Sequence, residues 1–256
     1  MRTNDPQIIA HRGASNAAPE NTRAAIALAW QEGADGVEID VRLTRDGRIA
    51  VIHDPDTRRV AGQELVVADS NFEELAQLDV GTHKAPEWSA QTIPPLDEVL
   101  TNLPCEKRLW IEVKCGPEIL DALVPLIALT PRASTSLAVV SYDDRVLAGV
   151  KQALPDVPAF LVARFERPET SDHWTPTTEQ LLTTARSAGL DGLMLREVGP
   201  LDAAMAREIA DAGFGLYVWT VDSPDRARQL IAIGVQGILT NRPGWLRQQL
   251  VGGAEI

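Results

Sequence analysis

Gly36-Val37-Glu38-Ile39-Asp40-Val41 is an apolar β-type run interrupted by two acids two residues apart. On a strand, alternate side chains share a face, so Glu38 and Asp40 point one way while Val37, Ile39 and Val41 point the other. Trp110-Ile111-Glu112-Val113-Lys114 repeats the pattern, with Glu112 and Lys114 on one face. Such near-continuous apolar runs are expected of strands covered on both sides, as in a parallel sheet. Further β-type runs occupy 7–11, 136–141, 157–162, 192–195, 215–221 and 237–240, making eight. Helix-period stretches follow most of them, at 22–31, 117–128, 144–154, 178–188, 201–212, 224–233 and 243–250. Ser223-Pro224 reads as an N-cap followed by proline at the first helical position, and Gly33, Gly189, Gly213 and Gly234 read as helix-ending glycines. Eight strands alternating with helices over 256 residues predict a single α/β domain, 1–256, folded as a (β/α)8 TIM barrel.

One run stands outside this alternation. Arg48–His53 follows Asp46-Gly47, a strong hairpin signal, so Val41–His53 reads as a hairpin that climbs off the second barrel strand and returns His53 to the mouth. Residues 55–107 contain no barrel strand and read as an insertion between strands two and three, over the face where barrel loops build active sites. The clear helix within it is opened by the capping box Ser70-Asn71-Phe72-Glu73.

With 36 acids against 24 bases the net charge is −12, unsuited to binding nucleic acid or an anionic membrane. A phosphate ligand would need a local reversal of the field, which a bound cation supplies. No apolar run is long enough to span a bilayer, and Ile8–Ala10 is too short for a signal-peptide core. Cys105 and Cys115 form no disulfide framework and read as free thiols. The expectation is a cytoplasmic enzyme acting on a small molecule, without stable membrane insertion.

The polar residues within the β-type runs carry the chemistry. Glu38, Asp40, Glu112 and Lys114 all point into one barrel interior. Buried carboxylates cost on the order of several kcal/mol each unless paired or metal-bound. A structural salt-bridge cluster around Lys114 alone leaves one acid without a partner. A divalent cation completes the balance, and all-oxygen ligands favour Mg²⁺ or Ca²⁺. His11-Arg12-Gly13 ends the first strand and His53-Asp54 ends the hairpin, whereas His83 and His173 lie in polar loops. Two histidines beside a cation form an acid–base device for phosphate-ester cleavage. Arg12 offers a bidentate fork to non-bridging oxygens. Trp219, ending the seventh strand, reads either as a core side chain or as an apolar wall for substrate.

Taken in order, His11-Arg12-Gly13, Pro19-Glu20-Asn21-Thr22, residues 33–41, Thr44-Arg45-Asp46-Gly47, His53-Asp54, residues 93–100, Ile111-Glu112-Val113-Lys114, Val218-Trp219-Thr220-Val221 and residues 237–243 resemble the glycerophosphodiester phosphodiesterase family along nearly the whole chain. The resemblance implies a barrel of the phospholipase-C-like phosphodiesterase type, with a cation on Glu38, Asp40 and Glu112. It implies His11 and His53 as the general acid–base pair, with Arg12 and Lys114 on the phosphate. The implied reaction is hydrolysis of a glycerophosphodiester to sn-glycerol 3-phosphate and an alcohol, with the glycerol hydroxyl as a first nucleophile. A related barrel phosphodiesterase acting on lysophospholipid-type head groups, with a cyclic phosphate product, is the alternative. The sequence departs from the family pattern at 55–60, where Pro-Asp-Thr-Arg-Arg-Val stands, and at Gln236 and Asn241.

Overall fold

A computed structural model describes residues 6–167, 169 and 173–251. The strands are β1 (Gln7–His11), β2 (Gly36–Leu43), β3 (Ile49–Val51), β4 (Arg108–Val113), β5 (Leu137–Ser141), β6 (Ala159–Ala163), β7 (Gly192–Arg196), β8 (Gly215–Trp219) and β9 (Gly237–Thr240). All but β3 are parallel to their neighbours, in the order β1-β9-β8-β7-β6-β5-β4-β2, and β1 pairs with β2 to close the barrel. β3 runs antiparallel to the upper end of β2, with Val41 opposite Val51, which is the expected hairpin.

Helices fill the gaps between barrel strands and start where the sequence supplies caps. The side chains of Thr22, Asp143, Thr177, Asp202 and Ser223 each accept a backbone N–H from the first turn that follows. Gly33, Gly189, Gly213 and Gly234 all adopt positive φ at helix ends. Inside the barrel, Trp110 packs against Phe160 and Tyr217 at ring separations of 4.9 and 4.5 Å. Ile9, Val140, Met194 and Leu239 complete this inner cluster. Gly192 makes room for it, because a Cβ there would lie 2.8 Å from the Phe160 ring and 2.3 Å from the Gly215 carbonyl oxygen. The larger cluster lies between strands and helices.

The stretch 55–107 holds more helix than its one sequence signal. Short helices occupy Arg58–Ala61, Phe72–Ala76 and Leu96–Thr101, with single 3₁₀ turns at Val67–Asp69 and Pro86–Trp88. The capping box sits one residue later than expected. Asn71 is the N-cap, and the Glu74 side chain accepts its backbone N–H at 2.8 Å, because the Ser70 hydroxyl is already donated to the Val66 carbonyl. Val60, Val67, Phe72, Leu75, Val80 and Ile93 form a small core of their own with Ala50 and Ile52 of the hairpin. Leu96, Val99 and Leu100 instead join the main core.

Candidate active site

Strand register assembles the site. β1 against β2 sets His11 beside Glu38, and β2 against β4 sets Asp40 beside Glu112. The interior face is apolar at the level of Ile9 and Trp110 and becomes charged two residues later on the same strands. Glu38 and Asp40 are fully buried, and Glu112 is 6% exposed. One carboxylate oxygen from each lies within 4.8 Å of the others.

A tight turn after β1 aims the arginine. Arg12 has φ +57° and Gly13 φ +78°. A Cβ on Gly13 would fall 2.5 Å from the Ala25 carbonyl carbon, so only glycine lets the turn press onto the helix Arg23–Gln31. The Arg12 backbone N–H then donates to Glu38 Oε2 at 2.9 Å. Its guanidinium donates to Glu20 Oε1 at 2.9 Å and lies 3.1 Å from Asp40 Oδ2. Asn21, another left-handed residue, donates from Nδ2 to Asp40 Oδ2 at 2.8 Å and accepts the Asp40 N–H.

Lys114 Nζ donates to Glu112 and lies 3.1 Å from Asp40 Oδ1, outside hydrogen-bonding geometry. Two cations therefore face three buried acids, and both Glu38 Oε1 and Asp40 Oδ1 have no hydrogen-bond partner. Burial, then the charges of Asp40 and Glu112, pushes the Glu38 carboxyl well above the usual range. Burial followed by Asp40 raises Glu112 to about 7 despite Lys114. Burial opposes ionisation of Asp40 too, but Lys114 and Arg12 hold it down to about 2. Three carboxylates converging within cation-ligand reach, two of them with an oxygen lacking a hydrogen-bond partner, fit a hard divalent cation.

The two histidines line the same cleft as Glu112. His11 Nδ1 is 2.9 Å from Asn241 Oδ1, and burial followed by Arg12 lowers its imidazole to about 4. His53 Nδ1 is 2.6 Å from Asp54 Oδ1, and burial lowers this ring as well. Asp54 Oδ2 accepts from Arg59 Nε at 2.6 Å, and the rest of the Arg59 fork donates to both Glu20 oxygens at 2.8 and 2.7 Å. His83 and His173 are exposed.

The cleft, about 1080 Å³, runs from His11, His53 and Lys114 across the mouth to Tyr142, Arg196 and Trp219. Trp219 packs on the inner cluster, donates from Nε1 to the Met194 carbonyl at 3.2 Å, and also lines the cleft. Its ring stands edge-on to Tyr142 at 6.2 Å. Tyr142, Asn21, Asp54, Arg59, Asn241 and Asp222 had no assigned part in the sequence reading. The available signal for Tyr142 was its position one residue past a barrel strand.

These features define a (β/α)8 barrel enzyme with a carboxylate trio at its mouth able to hold a cation. The chain belongs to the glycerophosphoryl diester phosphodiesterase family, whose profile matches residues 11–245. YhdW of Bacillus subtilis is 32% identical over 241 residues, covering 93% of this chain and 96% of that one. The glycerophosphodiester phosphodiesterase of Caldanaerobacter subterraneus subsp. tengcongensis is 31% identical over 245 residues, covering 92% and 94%. An Oleispira antarctica phosphodiesterase, solved with its product sn-glycerol-3-phosphate, superposes with a TM-score of 0.85 at 26% identity, over 96% of this chain and 97% of that one. Among the described residues, no helix is long and apolar enough to cross a membrane, and both cysteines are free.

Proposed function

We propose that the protein hydrolyses glycerophosphodiesters to sn-glycerol 3-phosphate and an alcohol. The observation that carries this reading is the buried trio of Glu38, Asp40 and Glu112, with two oxygens lacking a hydrogen-bond partner, at a cleft that Glu112 lines together with His11 and His53. Family membership and the product bound by the Oleispira enzyme support the same substrate class.

Glu38, Asp40 and Glu112 would hold one divalent cation, Mg²⁺ or Ca²⁺, which neutralises charge developing on the phosphate oxygens. Arg12 and Lys114 flank the trio and bind non-bridging oxygens; the Arg12 fork is held at its back by Glu20. Each histidine uses Nδ1 on its own support, Asn241 or Asp54, which leaves Nε2 for the substrate. One ring takes the proton of the attacking glycerol hydroxyl and the other gives a proton to the leaving alkoxide; water then opens the resulting cyclic phosphate to glycerol 3-phosphate, with the two rings exchanging roles. Trp219 and Tyr142 form the apolar wall across the cleft. The two free thiols support a reducing compartment, the cytoplasm.

The test is release of glycerol 3-phosphate from glycerophosphocholine and glycerophosphoethanolamine by metal-stripped protein, before and after Mg²⁺ or Ca²⁺. Release restored by the ion, and abolished in a folded Glu112→Ala variant, is the expected result. A Glu112→Ala protein that turns over at the wild-type rate would remove the carboxylate assignment. Inactivity toward every glycerophosphodiester, with a persistent cyclic phosphate from lysophospholipids, would replace the substrate class.

A further inference from the structure

His11 and Asn241 are 230 residues apart and meet because β1 pairs with β9. Behind Asn241 stands Asp222, whose Oδ2 is 2.6 Å from Asn241 Nδ2. The other Asp222 oxygen, Oδ1, accepts the Asn241 backbone N–H and the Thr240 hydroxyl, both at 2.8 Å, so the carboxylate is anchored. An ionised carboxylate only accepts hydrogen bonds. The end of the Asn241 amide facing it must be the NH₂, and the end facing His11 must be the carbonyl oxygen. That oxygen also only accepts, so the proton in the 2.9 Å contact belongs to His11 Nδ1. The single Ser15 hydroxyl proton is shared between two acceptors, the His11 carbonyl at 2.7 Å and Asn241 Oδ1 at 2.9 Å, and toward Asn241 it again meets an oxygen.

We propose that Asp222, acting through Asn241, fixes the neutral His11 ring in its Nδ1–H tautomer, so that a bare Nε2 is presented to the cleft. Asn241 and Asp222 are then positioning residues for the acid–base ring, a statement that rests on the role given to His11 above. The logic differs from that at His53, where a carboxylate touches the ring directly. At His11 a neutral amide sets the orientation, and the fixed negative charge is one residue removed.

The tautomer is read from long-range ¹H–¹⁵N spectra of the Mg²⁺-loaded, ¹⁵N-histidine-labelled protein at pH 8, with the His11 signals identified by their loss in His11→Gln. Wild type should show Nδ1–H. In Asp222→Asn, the new amide keeps an oxygen toward the Asn241 N–H and places its NH₂ toward the Asn241 side chain. The Asn241 amide then turns over, its NH₂ faces His11, and the ring proton moves to Nε2. We expect kcat to fall about 100-fold or more with KM within about threefold, the signature of a wrong tautomer rather than lost binding. The double variant Asp222→Asn/Asn241→Asp restores an acceptor at His11 and a donor behind it. It should return the Nδ1–H form and bring kcat to within about tenfold of wild type.

An Nε2–H form in the wild-type protein overturns the proposal without any variant having to fold. So does an Asp222→Asn protein that keeps Nδ1–H. A tautomer that switches while kcat stays unchanged instead overturns the acid–base role of His11, so the two readings fail separately.

Discussion

His11 and His53 face one cleft but belong to differently built parts of the molecule. His11 ends a barrel strand bonded on both sides, and its support comes from the far end of the chain through barrel closure. His53 follows the hairpin strand β3, and its support comes from the next few residues and from the short helix Arg58–Ala61. Behind the first ring lie an amide and an anchored carboxylate. Behind the second lies a chain of ion pairs, Asp54–Arg59–Glu20–Arg12, in which the Arg59 side chain is 46% exposed. The barrel positions one ring through its backbone ladder. The hairpin carries the other, held from the insertion by surface electrostatics, which are weaker per contact and easier to disturb.

If both halves carry chemistry, removing either ring should be severe. His11→Ala and His53→Ala are each expected to lower kcat about 10³-fold. A loss under tenfold at either position, measured by glycerol 3-phosphate release at saturating metal, would confine acid–base work to the other half. The supports should separate the halves more finely. Arg59→Ala frees Asp54 and Glu20 together and should cost roughly 10-fold in kcat, in the range of outer-shell partners at comparable sites. Its effect on Tm should be small, because the guanidinium is half-exposed. A large Tm drop with unchanged kcat would make Arg59 a structural tie of the insertion instead.

The barrel half was the more legible in sequence. Its strands are apolar on both faces, so polar residues at positions 38, 40, 112 and 114 announce themselves as interior charges. The Asp46-Gly47 turn gave away the hairpin and with it the return of His53. What remained hidden was every support that depends on which loop ends meet. Asn241 stands out in sequence only as a departure from the family pattern, and Asp222 not at all, until β9 closes on β1. Asn21 looks like a loop residue before a helix until its left-handed turn brings both amide ends to Asp40. Within 55–107, helices of four to six residues are too short to display a helical period, so Arg59 could not be placed against Glu20.

The smallest effect expected is also the one that isolates the ion-pair chain. Burial alone would raise the Glu20 carboxyl, but hydrogen bonds from Arg59 and the charge of Arg12 outweigh it, and the group sits below its ordinary 4.5. A carboxylate depressed in the folded state stabilises the fold above its unfolded value and loses that contribution as pH falls through the folded one. Wild type should therefore exceed Glu20→Gln in stability by up to about 1 kcal/mol above pH ~5. The gap should close as the pH is lowered further, when wild-type Glu20 takes up its proton. Melting curves that stay parallel from pH 7 to 3 would show that Glu20 contributes no net ion-pair energy and that the second histidine is held by Asp54 alone.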